Sequence, residues 1–112
     1  MDNLIVQKYG GSSLATLKQF DFVAKKVKNC LKNSNKIVIV VSAMGNTTDE
    51  LVELGESFLK DSKNIENLRD FDQLLSTGEI ISASLMSMSL RKNNVKAISL
   101  SLIHISEPTR RL

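Results

Sequence analysis

The chain has 112 residues, 42% of them hydrophobic and 24% charged, with a formal net charge of +3. That length suits one compact domain with little room for a second, and the composition sets the chain apart from disordered and membrane-embedded classes. The lysines are dispersed, and Lys25, Lys26 and Lys28, the nearest thing to a cluster, sit at helical spacing without interleaved aromatics, so no nucleic-acid partner is expected.

Leu4 to Tyr9 is a short apolar run halted by Gly10-Gly11, which predicts a buried strand ending in a tight turn. Ser12 or Ser13 can then cap a helix whose stripe Leu14, Leu17, Phe20, Ala24, Val27 and Leu31 faces a core, while Lys18, Lys25, Lys28 and Lys32 face water. Cys30 lies on this helix and, as the single cysteine, rules out an internal disulfide. With no histidine near it in the chain, it reads as a small buried hydrophobe.

The uninterrupted β-branched run Ile37 to Val41 predicts a central parallel strand covered on both faces. Thr47 and Glu50 have capping-box spacing ahead of Leu51, Leu54 and Phe58, which predicts a second helix, weakened by Gly55. Asp61 to Asn67 is polar and reads as a linker. From Leu68 to Leu90 the pattern is helical again: Phe71, Leu74 and Leu75 precede a break or new start at Ser76-Thr77-Gly78, and Ile81, Leu85 and Met88 follow on one face. Met86 and Met88 read as core filling. After the turn residues Asn93-Asn94, Val95 to Ser99 predicts a third strand.

This alternation is the grammar of an α/β domain with a mostly parallel sheet, whose crossovers bring the strand ends, and any site, to one edge. Three strings could carry chemistry, the first two of them at such ends. Lys8-Tyr9-Gly10-Gly11-Ser12-Ser13 offers two glycines that let backbone approach an anion, amides at a helix start and a full positive charge, although the lysine precedes the glycines and the order is not that of a Walker loop. Taken alone it is more often a plain turn. Ser42-Ala43-Met44-Gly45-Asn46-Thr47-Thr48-Asp49 brings hydroxyls to the same edge, or simply caps a helix. Ser76-Thr77-Gly78-Glu79 places a carboxylate in an apolar region, or an exposed acid at a helix start.

In this order and at these intervals, the strings Val6 to Ser13, Val40 to Asp49 and Leu74 to Glu79, with Val95 to Ser99 after them, resemble the aspartate kinases of the amino-acid kinase superfamily. The resemblance covers residues 1–99 and implies a three-layer α/β/α fold with a mostly parallel sheet, incomplete in this chain. It implies ATP as co-substrate, Mg²⁺ bound through the nucleotide phosphates with no metal-binding residue of its own here, and L-aspartate as phosphoryl acceptor. The product would be 4-phospho-L-aspartate, the first step toward lysine, threonine and methionine. Carried over by position, Lys8 would be catalytic, and Lys8, Tyr9, Gly10, Gly11 and Ser12 would bind ATP. Ser42 with Thr47 or Thr48 would line the aspartate site, and Glu79 would accept hydrogen bonds from the substrate's α-ammonium.

Lys-Tyr-Gly-Gly-Ser-Ser and Ser-Ala-Met-Gly favour aspartate over glutamate, acetylglutamate, carbamate or a nucleotide as acceptor. A non-catalytic phosphate-binding module is the other alternative. The family's later elements, including an arginine for the α-carboxylate, the base pocket and the ACT domains, have no counterpart, so the chain by itself is expected to be inactive, as part of a homo-oligomeric parent.

The chain start lacks the basic and long apolar regions of a secretory leader, and no apolar run approaches a membrane span, so a cytoplasmic location without a membrane partner is expected. At the other end the composition changes abruptly. Proline and histidine are absent before residue 101, yet His104 and Pro108 appear after it with Arg110 and Arg111. The string Leu100 to Arg110 resembles a translated transposon-end sequencing adapter. Residues 100–112 are therefore expected to be a non-native tail, and His104 is not a candidate base.

Overall fold

The computed structural model describes residues 3–32 and 35–100. Of the expected tail, residues 100–112, all but Leu100 lie outside them. In chain order they form strand β1 (Leu4–Tyr9), a 3-10 turn (Gly11–Leu14), helix α1 (Leu17–Leu31), strand β2 (Lys36–Val41), helix α2 (Thr47–Leu59) and helix α3 (Ile65–Lys92). The strands pair in parallel, Leu4 opposite Lys36 and Tyr9 opposite Val41, so both C-terminal ends open onto one edge.

Because side chains alternate along a strand, the sheet has two unlike faces. Tyr9, Ile37, Ile39 and Val41 pack against a core made by Leu14, by Phe20, Val23, Ala24 and Val27 of α1, and by Met86 and Leu90 of α3. On the other face Leu4, Val6, Lys8, Lys36, Val38 and Val40 are exposed. The expectation that β2 is covered on both sides therefore holds for one side only among the described residues, because α1 and α3 lie over the same face.

Helix α1 begins later than a Ser12 or Ser13 cap would set it. Those serines belong to the 3-10 turn, and the cap is Thr16, whose Oγ1 accepts from Gln19 N at 3.3 Å while Gln19 Oε1 accepts from Thr16 N at 3.0 Å. This reciprocal box satisfies amides that the first helical turn leaves without intrahelical partners. Leu17, expected in the core stripe, is 65% exposed, since the first turn carries it beyond the packed surface. Lys18, Lys25, Lys28 and Lys32 are exposed as expected. Cys30 is half-buried, and Gln7 Nε2 donates to its Sγ at 3.7 Å.

Helix α2 forms where expected but without the Thr47–Glu50 box: Asn46 is the cap residue and no side chain closes the end. The polar linker is shorter than expected, since Asn64 caps α3 by accepting from Asn67 N at 2.8 Å. Helix α3 runs unbroken through Ser76-Thr77-Gly78. The hydroxyls of Ser76 and Thr77 donate to the carbonyls of Gln73 and Leu74 within the helix.

The buried stripe of α3 is Gly78, Ser82, Met86 and Leu90, an i, i+4 row, with Ser87 beside it. Ile81 and Met88, expected inside, are exposed. Ser82 is fully buried, and its hydroxyl has no hydrogen-bond partner among the described residues. Asn93 and Asn94 close α3 as a Schellman turn: Asn94 adopts φ 64°, Asn94 N donates to Arg91 O at 3.0 Å, and Val95 N donates to Leu90 O at 2.9 Å. Val95 is buried and Ala97 packs on the core, but residues 95–100 form no strand. Burial alternates from Val95 to Ile98 as a strand's would, but among the described residues no strand pairs with this segment.

Candidate functional site

The site is built where β1 and β2 end. Tyr9 O accepts from Ser42 N at 3.1 Å and from Ser42 Oγ at 3.4 Å, which continues the parallel ladder one residue past the strands. Gly45 N then donates to Gly11 O at 3.1 Å, joining the two loops. The two loops meet closely at Gly11: a Cβ there would stand 3.2 Å from Gly45 O, a tight contact, and 3.6 Å from Ala43 O. Gly45 needs to be glycine for its own reason, φ +44°, a left-handed conformation that side chains disfavour.

The third string meets the same loops. Ala43 is buried, and Gly78 of α3 lies directly against it, with Thr47 and Leu51 adjacent. Gly10-Gly11, Ser42–Gly45 and the α3 turn carrying Glu79 thus form one contiguous edge of the molecule.

The individual side chains divide as follows. Lys8 and Glu79 are both exposed, and the one ion pair among the described residues, Lys25 with Asp21 at 3.0 Å, involves neither. Lys8 projects from the open face of the sheet. Tyr9 projects from the covered face, where its hydroxyl donates to Gln7 Oε1 at 2.9 Å, so its side chain is turned into the core and away from the face of Lys8. Burial, and then the neighbouring Cys30, raise the Tyr9 phenol above its ordinary 10.0. No side chain caps the 3-10 turn that Gly10 opens, and Ser12 is exposed on it. Ser42 and Thr47 are half-buried and Thr48 is exposed, and neither threonine hydroxyl caps α2.

The sequence reads Gly45 as a second glycine turn and Gly78 as a helix break or new start, not as points of close packing. A glycine four residues after a β-branched strand was a usable signal for the first. The second gave none, since a buried helical glycine and a helix-breaking one look alike in sequence. Among the described residues, no three of His, Cys, Asp and Glu lie together as a metal site, and no helix is long and apolar enough to cross a membrane.

In open α/β sheets ligands bind outside the carboxyl ends of the strands, which is where these glycine-bearing loops lie. Residues 3–111 match the amino acid kinase family. The chain is 45% identical over 97 residues to an aspartokinase of Geobacillus stearothermophilus, covering 87% of this chain and 23% of that protein. It is 44% identical over 98 residues to an aspartokinase of Helicobacter pylori J99, covering 88% and 23%. The crystal structure of aspartate kinase from Synechocystis superposes with a TM-score of 0.76 at 44% identity, over 87% of this chain and 16% of that one. The chain belongs to the amino acid kinase family, and it spans under a quarter of the length of these curated relatives. The two strands and three helices of the described residues are an incomplete version of that family's α/β fold.

Proposed function

We propose that this chain is the amino-terminal part of an aspartate kinase, which transfers the γ-phosphoryl group of ATP to the side-chain carboxylate of L-aspartate. The supporting observation is the contiguity of the three strings, joined by the 3.1 Å Gly45–Gly11 hydrogen bond and the contact of Gly78 with Ala43. The named relatives support aspartate as the acceptor.

In the reaction, a carboxylate oxygen of aspartate forms a bond to the γ-phosphorus as the bond to the bridging oxygen breaks, and ADP departs with that electron pair. A side-chain carboxyl is already ionised at neutral pH, so no general base is required. The obstacle is repulsion between an anionic nucleophile and an anionic triphosphate. Lys8 offsets that charge, and the amides after Gly10 approach the phosphates where no side chain intervenes. Tyr9 contributes through its backbone, holding Ser42 in place. Ser42, Thr47 and Thr48 present hydroxyls to the amino acid, and Glu79 receives its α-ammonium. Mg²⁺, held through the nucleotide phosphates, would screen their charge. A cytoplasmic location and a homo-oligomeric parent complete the proposal.

The test uses a complete kinase carrying this sequence. Lys8→Ala is expected to lower kcat by about 10²–10³, the usual effect of removing a group aimed at transition-state charge. Glu79→Ala is expected to raise the aspartate KM by about 10–100-fold, as loss of a charge-assisted hydrogen bond of about 1.5–3 kcal/mol requires, while the ATP KM stays unchanged. Retained ligand binding without phosphoryl transfer in the unaltered protein would instead identify a binding module.

A further inference from the structure

We propose that Gly78 is a positioning residue, whose missing side chain sets how closely Glu79 approaches the Ser42–Gly45 loop and so fixes recognition of the amino-acid substrate. The inference rests on the reading of Glu79 as the ammonium acceptor. Its physical basis is the contact itself. A Cβ on Gly78 would stand 2.9 Å from Ala43 Cβ, 3.3 Å from Thr47 Cγ2 and 3.4 Å from Leu51 Cδ1. The first distance is shorter than packed carbon atoms tolerate.

Ala43 has no rotamer with which to withdraw, and it is buried. An added methyl must therefore move backbone, either the α3 turn or the loop. Whichever moves, Glu79 on one side and Ser42 and Thr47 on the other change their separation together. The Gly10-Gly11 loop is tied to Gly45 rather than to α3, so the nucleotide side keeps its place when the α3 turn is what moves.

Gly55 provides the contrast. A Cβ there would collide with Phe71 at Cδ1 and Cε1, which are side-chain atoms of α3 and not part of the Ser42–Gly45 loop. Both glycines permit α2 and α3 to pack closely; only Gly78 abuts the loop that carries Ser42.

The experiment measures KM for aspartate and for ATP, with a thermal melt, in a complete kinase bearing Gly78→Ala, Gly55→Ala, Glu79→Ala, or Gly78→Ala with Ala43→Gly. Gly78→Ala is expected to raise the aspartate KM about ten-fold or more, in keeping with the sensitivity of catalysis to sub-ångström misplacement, with the ATP KM within about two-fold. The double variant moves the methyl across the contact and is expected to restore the aspartate KM. Gly55→Ala is expected to leave it unchanged. If Gly78→Ala does not fold, the double variant decides: a near-normal aspartate KM supports the spacing, and a raised one overturns it. An equal rise in both KM values, or the same aspartate defect from Gly55→Ala, would also overturn it, because general loosening would then explain the effect. Should Glu79→Ala itself leave the aspartate KM unaltered, the fault lies in the functional reading rather than in the spacing.

Discussion

The two faces of the β1–β2 sheet carry similar side chains but meet different surroundings. On the covered face Ile37, Ile39, Val41 and Tyr9 meet the aliphatic and aromatic stripes of α1 and α3. On the open face Val6 is 64% and Val38 48% exposed, although both are as apolar as their neighbours. A sequence written for one solvent-facing side would alternate with polar residues; this one does so only at Lys8 and Lys36. The strands are thus composed for a three-layer sandwich, and the described residues supply two of its layers. Lys8, the residue to which the largest catalytic role is assigned, stands on the side whose cover they do not provide.

The contrast can be broken or sharpened by substitution. Phe20 on α1 is 2% exposed within the covered core, and Phe20→Ala is expected to cost about 3–5 kcal/mol, read by urea unfolding. A loss no larger than that of a surface change would show that the covered face is not a packed core. Val38→Thr is the matching change on the open face. In this chain by itself it should alter stability by no more than about 0.5 kcal/mol, whereas in a complete kinase, with that face enclosed, the buried hydroxyl should cost about 1–3 kcal/mol. Equal losses in the two settings would contradict the assignment of that face to a third layer.

The smallest effect belongs to the rim, where Asn93 Nδ2 at the end of α3 donates to Asp21 Oδ1 of α1 at 3.0 Å. That hydrogen bond, then Lys25, holds the Asp21 carboxyl below its ordinary 3.8. A depressed carboxylate stabilises the fold above its unfolded value and loses that contribution as pH falls through the folded one. Stability should therefore decline below about pH 4 through this group, and Asp21→Asn should shallow that decline in pH-dependent melts while leaving the neutral range little changed.

Much of the architecture could be read from the chain because local and global signals agreed. β1, β2 and the α1 stripe from Phe20 to Val27 follow directly from period and β-branching. The reading failed where a local signal was overruled by packing. Ser76-Thr77-Gly78 resembles a helix break, yet the serine and threonine bond within α3 and the glycine is needed for its contact with Ala43. The interior helical glycine costs about 1 kcal/mol relative to alanine, a penalty offset by the close approach it permits. The true buried row of α3 was disguised because Gly78 and Ser82 carry little hydrophobic signal, so Ile81 and Met88 drew attention instead. Thr16-x-x-Gln19, by contrast, was a legible capping box passed over in favour of the serines before it. Of the candidate site, the three strings and their shared edge were legible, while their dependence on Gly45 and Gly78 was not, since φ and interhelical distance are not written in residue type.

The most direct measurement is a crystal structure of a complete kinase carrying this sequence, bound to ADP and L-aspartate. The expected result is phosphate density beside Lys8 and the Gly10-Gly11 amides, with the amino acid between Ser42 and Glu79 and its ammonium within hydrogen-bonding distance of the Glu79 carboxylate. Either ligand bound away from this sheet edge, or Glu79 directed elsewhere while aspartate is fully ordered, would contradict it.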